Sequence, residues 1–357
     1  MPQWACRAGL WMLCGLLAVC LLALPEHAGW LAAVLVQAPG AARSLCAPAP
    51  AEETPAAALL EPGSAVQAQP TPAPTAAPTV QPTPTPVPTR PVDSGVIQPQ
   101  TFRHKTGQGS VSLAAGSIQN ATNLPDADLA HAAAAGLPFA IEKNSAEPQV
   151  LILHTHATET YQPDDNLWFD KAFIARTADR SRNMCAVGAA MAKVLNEAGI
   201  VTLHDETLHD SPSYTESYAR SAETAKAYLA QYPSIKIILD VHRDALGDET
   251  TRIKPLCTLE GQNTAQIMLI AGCDNGGSVS LPHWRENLAF AAAWEAQMES
   301  SFPGLTRPVL CGYRFYNQDL TTGSLLVEVG GHGNTLEEAL RAGEYAARAL
   351  VSLLLKQ

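Results

Sequence analysis

Histidines and carboxylates collect at three places in this chain. The first is Val150-Leu-Ile-Leu-His154-Thr-His156-Ala-Thr-Glu159. The second is Ile235-Lys-Ile-Ile-Leu-Asp240-Val-His242-Arg243-Asp244, and the third is Ser324-Leu-Leu-Val-Glu328-Val-Gly-Gly331. Each starts as a continuous apolar run, which is how a strand buried on both faces reads. In open α/β sheets, ligands gather at the carboxyl ends of strands. Imidazole and carboxylate together suit zinc, and a catalytic zinc takes three protein ligands and leaves one position open. Such an ion acidifies water, and a nearby carboxylate takes the proton. The chemistry expected of these residues is metal-assisted hydrolysis.

The expected metal ligands are His154, His156, Glu159 and His242. His156-x-x-Glu159 offers two ligands across a tight turn, and His242 comes from another strand end. His154 lies two residues before His156, so in an extended strand both point the same way. Either is a candidate for the first ligand, and the other is then free to bond substrate. Glu328 is the candidate general base, because it sits at the end of a third strand just before a Gly-Gly turn. The alternative is an ordinary salt-bridge partner, since an acid inside Leu325-Leu-Val-Glu-Val is costly unless paired. Asp240 and Asp244 flank His242. One can accept the other ring N–H of a ligating histidine, or both serve as caps and solvated loop residues. Arg243 can take a substrate carboxylate in its planar fork, or form a structural ion pair. His204, His209 and His283 lack such context and read as core or surface histidines. His332, after Gly330-Gly331, is left without a role.

Elements that could position these groups alternate along the chain. Strand-like runs fall at 149–156, 200–204, 235–242, 266–271, 308–313 and 324–330. Helical spacing of apolar residues marks 183–198, with Gly199 as its stop signal. Further helices fit 217–231 and 284–301. Thr335-Leu-Glu-Glu338 is a capping box opening a last helix that runs to about Leu355. The expected fold is a single α/β domain with a mostly parallel sheet flanked by helices. It would occupy residues 148–357, with 96–147 as an N-terminal extension carrying an edge strand at 109–113 and a short helix at 126–135.

Ahead of this lie two segments of different character. Ala8 to Leu24 is unbroken apolar sequence preceded by Arg7, near the lower length limit of a membrane span. Residues 1–40 read as a membrane anchor or a cleaved signal, and both readings export the remainder. Residues 41–95 are rich in Pro, Ala and Thr, too poor in large apolar groups for a core, and read as an extended linker. The formal net charge of −11 argues against nucleic acid or anionic lipid as a partner of the exported part. Four of the eight cysteines lie at or before residue 46. Cys185, Cys257, Cys273 and Cys311 are scattered without a C-x-x-C pair and read as buried thiols.

Together, His154-Thr-His-Ala-Thr-Glu-Thr-Tyr161, Asp240-Val-His-Arg-Asp244, Tyr316-Asn-Gln-Asp-Leu320 and Glu328-Val-Gly-Gly-x-x-Asn-Thr-Leu-Glu-Glu338 resemble the stage II sporulation protein P family. Asn120-Ala-Thr-Asn-Leu124 and Trp284-Arg-Glu-Asn287 also fit, so the likeness covers about 100–357. The resemblance implies an amidase-like fold and a membrane-anchored, Zn2+-dependent peptidoglycan hydrolase. It further implies cleavage of the N-acetylmuramoyl-L-alanine amide, endopeptidase cleavage of cross-links, and a role in forespore engulfment. The catalytic domain would lie outside the cytoplasm, in the septal space. Sporulation proteins D and M are the implied partners. The resemblance places the metal role on the His154/His156 motif and His242, and the base role on Glu328. In related amidases a ligand Glu stands at the start of the helix after the first strand. Here that position reads Ser181-Arg-Asn183, which leaves Glu159 as the substitute. Two other readings compete: an inactive wall-binding scaffold, and a zinc carboxypeptidase trimming stem peptides.

Overall fold

The computed structural model describes residues 89–356; the expected anchor and all but the end of the expected linker lie outside them. The described residues form a mixed α/β fold with two sheets. In chain order the elements are β1 (Ser94–Gln100), β2 (Ser110–Ser112), β3 (Ser117–Ala121), α1 (Asp126–Ala133), β4 (Val150–Leu153), β5 (Trp168–Asp170), α2 (Met184–Glu197), β6 (Thr202–His204), α3 (Ser217–Gln231), β7 (Ile237–Asp244), β8 (Thr251–Leu259), β9 (Gln262–Ala265), β10 (Ile267–Gly272), α4 (Trp284–Ser301), β11 (Val309–Gly312), β12 (Gly323–Gly331) and α5 (Leu336–Leu354). Among the described residues, no helix is long and apolar enough to cross a membrane.

The larger sheet runs β2-β3-β11-β10-β12-β7-β4-β6. Its β10–β12 and β2–β3 pairs are antiparallel and the others parallel. The smaller sheet, β5-β1-β8-β9, was not foreseen. Its strands carry scattered polar residues and no long apolar run, so their pairing rests on contacts between distant segments. β1 also begins at Ser94, inside the segment read as linker.

Strand periodicity decides which side chains face where. Val150 and Ile152 of β4, Leu239 and Val241 of β7, and Leu325, Val327 and Val329 of β12 join one large core. Residues of α1, α2, α4 and α5 share that core and cover this face of the sheet. The alternate residues face the other way. On that side α3 covers Leu151, Leu153 and Ile238. Met268, Ile270 and Leu326 form a small cluster there with Leu310 and Tyr316, and no helix residue joins it. Met268, Ile270 and Leu326 are buried even so, and Tyr316 stacks on Tyr218 of α3. Asp240 and His242 of β7, Glu328 of β12 and Met268 of β10 all lie on this second face of the sheet, with Tyr218 of α3 packed beside His242.

α2 and α5 start where their caps predict. Asn183 accepts the Cys185 N–H through its side chain, and Thr335 and Glu338 close a reciprocal capping box. These caps satisfy N–H groups that a helix start leaves orphaned.

Candidate active site

β4 ends at Leu153, and the chain turns immediately. Thr155 donates both its N–H (2.8 Å) and its hydroxyl (2.6 Å) to Asp240 on β7. The Glu159 N–H closes the turn onto the His156 carbonyl at 3.0 Å. Thr158 donates to Asp210 through N–H and hydroxyl. Five polar contacts thus replace the strand ladder and carry His156 and Glu159 to the side of the sheet that bears His242.

His154 does not join them. It keeps the parity of Val150 and Ile152 and points to the helical side. Its Nδ1 lies 2.8 Å from the Val241 carbonyl and its Nε2 2.9 Å from His204 Nε2. Gly188 of α2 leaves the room, since a Cβ there would meet both rings at 2.5 Å. Burial, with the His204 ring beside it, pushes the His154 imidazole down to about 3. The expectation that His154 and His156 point the same way is corrected here: the parity rule stops where the strand stops.

Three of the expected residues do meet. His242 Nδ1 lies 3.6 Å from Glu159 Oε2. The His156 and His242 rings are 5.2 Å apart, edge to face. Glu328 sits one strand over, in direct register with His242. Donor atoms on one tetrahedral zinc lie roughly 3.4 Å apart, given bonds near 2.0–2.2 Å. The Glu159–His242 spacing matches that edge, and two imidazoles with a carboxylate are zinc donors by kind. As they stand, no three His, Cys, Asp or Glu side chains among the described residues converge into a closed metal site.

Charge at the site is strongly coupled. Burial works against a charged His242, but Asp240 and Glu159 beside it hold its ring well above the usual imidazole range. Asp240 Oδ1 is 2.8 Å from His242 Nε2. It lies off the N–H direction, because that nitrogen has no hydrogen-bond partner. The contact is Coulombic. Burial favours a neutral Glu159, yet His242 and Arg243 hold its carboxyl at about 2. Part of the Glu328 side chain meets solvent, while its Oε2 is closed off and makes no hydrogen bond. Burial pushes this carboxyl up to about 8.

Arg243 is spent inside the protein. It donates to the Thr160 carbonyl (3.0 Å) and the Ala175 carbonyl (2.8 Å), and lies 3.6 Å from Glu159. At 7% exposure it clamps the 159–175 segment and has little surface left for a substrate. Asp244 pairs with Arg307 at 2.8 Å and does not reach a histidine ring. His332 is held by its N–H to the Asp244 carbonyl (2.9 Å), and its Nδ1 has no partner.

Several residues around the site carried no obvious signal. Tyr214 stacks flat on His156, with centroids 4.4 Å apart. Tyr218 meets His156 edge-on at 5.4 Å. The Arg176 guanidinium lies over Tyr214, bonds Asp210 at 2.6 Å and reaches Glu159 at 3.5 Å. Tyr214 lies in the bend just before α3, and Tyr218 in its first turn, with Glu216 in a left-handed conformation between them.

The family model for stage II sporulation protein P matches residues 87–351. The chain belongs to the stage II sporulation protein P family. Stage II sporulation protein P of Bacillus subtilis (strain 168) is 30% identical over 209 residues, 56% of this chain and 49% of that protein. The match thus spans about half the length of this curated relative. Among solved structures, the apo form of the N-acetylmuramyl-L-alanine amidase Ami1 from Mycobacterium abscessus aligns at TM-score 0.35 and 12% identity. That alignment covers 59% of this chain and 98% of the other. The CwlD amidase from Clostridioides difficile, in complex with the GerS lipoprotein, aligns at TM-score 0.36 and 11% identity. It covers 58% of this chain and 97% of CwlD.

Proposed function

We propose that this chain is a zinc-dependent peptidoglycan hydrolase of sporulation that cleaves the N-acetylmuramoyl-L-alanine amide. The observation that carries the reading is the placement of Glu328. It is a carboxyl with an orphaned oxygen and a pKa near neutrality, one strand from His242, on the face that bears His156 and Glu159. Membership of the family supports the sporulation setting.

In this reading His156, Glu159 and His242 hold the ion, with His156 turning toward the other two. Zinc bound there would supply Lewis-acid chemistry, polarising a carbonyl and acidifying water. Glu328 takes a proton at its carboxylate and returns it to the leaving amine, which suits an acid titrating close to the working pH. Asp240 stabilises charge on the His242 ring from behind while holding the Thr155 turn, so one carboxylate couples both strand ends. His242 and Arg243 keep Glu159 ionised, and Arg176, 3.5 Å away, helps hold it in place.

The reading extends to cleavage of cross-links, tethering through residues 8–24 with the site outside the cytoplasm, and joint action with sporulation proteins D and M. The resemblance and the apolar N-terminal run support these. The test is direct: the full chain, purified and zinc-replete, should carry one zinc and release stem peptides from cell walls. Mass spectrometry of the products separates amidase, endopeptidase and carboxypeptidase cuts. Zinc-replete protein that releases no peptide sinks the proposal.

A further inference from the structure

Next to the site, the face of the sheet that carries Glu328 borders a cleft of about 380 Å³. Its floor includes Met268, which pairs directly with Glu328 across β10 and β12. Paired residues put their side chains on the same face, and neighbouring strands lie about 5 Å apart. The cleft thus opens one strand spacing from the carboxyl of Glu328. Gln119 of β3 lies further along the same face, in register with Leu310, which is itself in register with Ile270. The opposite wall is the segment around Phe102, Arg103 and Lys105.

The charged residues lining this cleft are Arg103, Lys105 and Arg307, and no carboxylate lines it. This is a local reversal on a chain whose formal net charge is −11. Arg307 is fixed: it bonds Asp244 at 2.8 Å and lies over the Phe102 ring at 4.8 Å. Arg103 and Lys105 are exposed and make no ion pair among the described residues. A concave surface with one sign of charge and a partly apolar floor concentrates ligands of the opposite charge. An extended peptide advances about 3.5 Å per residue. A carboxylate two to four residues from a bond held at Glu328 therefore falls within this cleft.

We propose that the cleft between the 101–110 segment and the sheet face is a substrate subsite that takes the carboxylate-bearing peptide arm, with Arg103 and Lys105 as its recognition charges. This rests on the hydrolase reading for the identity of the substrate, and adds the direction in which the peptide leaves the site.

The test uses calorimetric binding, which does not depend on turnover. The full chain is titrated with a wall-derived stem tripeptide bearing free carboxylates, and with the same peptide after its carboxylates are amidated. Wild type should bind the free acid roughly tenfold more tightly, and the preference should shrink with added salt. R103E/K105E should lose the preference with an unchanged melting temperature, whereas R103K/K105R should keep it. No binding by wild type, equal binding of the two peptides, or an intact preference in R103E/K105E overturns the subsite. Wall hydrolysis without the preference sinks the subsite alone. A preference without hydrolysis by zinc-replete protein sinks the hydrolase reading alone.

Discussion

Replacing Glu328 with Gln separates what its burial does to stability from what its proton does to chemistry. The carboxyl titrates at about 8 in the folded chain, against 4.5 unperturbed, because burial disfavours the anion. The folded protein therefore keeps a proton that the unfolded chain releases. Below pH 4.5 both states hold it, and the neutral acid costs nothing. From there to pH 8 each pH unit removes about 1.4 kcal/mol of stability, and the loss levels off above pH 8. Solvent reaching part of the side chain trims the total to roughly 3–5 kcal/mol. Gln keeps the shape and has no proton to lose. Metal-free E328Q should melt close to wild type at pH 5 and pull ahead as pH rises. The gap should reach about 10 °C by pH 8, at some 2–4 °C per kcal/mol for a domain of this size. Thermal melts followed by circular dichroism in chelator at pH 5, 6, 7 and 8 read this out. The zinc-loaded variant should keep its metal and lose about 10²–10⁴-fold in wall hydrolysis. Parallel melting curves for the two proteins would refute burial as the cause of the raised pKa.

The other expectations concern the histidines. H242A should bind less than a tenth of the zinc held by wild type and show no wall hydrolysis, both measured on the same preparation; full metal content in H242A would remove it from the ligand set. H156A should behave like H242A, whereas H154A should keep its zinc. H154A should instead lose about 2–4 kcal/mol in urea unfolding, because it leaves a cavity and strips partners from His204 and the Val241 carbonyl. Equal zinc loss in H154A and H156A would contradict the division between them. G188A should destabilise by about 1–3 kcal/mol, since its Cβ would stand 2.5 Å from both the His154 and His204 rings; an unchanged urea midpoint would count against that packing.

The principal strands and helices were legible because their signals are local. Val150–Leu153, Ile237–Leu239 and Leu325–Val327 are apolar enough to be strands in almost any context, and Asn183 and Thr335 announce helices by chemistry that spans three residues. The β8–β9 hairpin and the small sheet were not legible. Their strands mix polar and apolar residues, and β1 pairs with β8 across some 150 residues, a contact that leaves no periodic trace.

By itself, the sequence determined that His156, Glu159, His242 and Glu328 stand at or beside strand ends, because an apolar run that meets a polar cluster must leave the core there. Only the tertiary structure decided which of them share a face. Parity along β4, with the space left by Gly188, sends His154 to the helical side. The Asp240 bonds to Thr155 break that parity and swing His156 and Glu159 to the opposite side. Strand order then does the rest: β12 pairs with β7 in the register that sets Glu328 beside His242, and β10 pairs with β12 so that Met268 carries the same face into a basic cleft. Such juxtapositions depend on hydrogen bonds between segments that are remote in the chain, and no spacing along it records them.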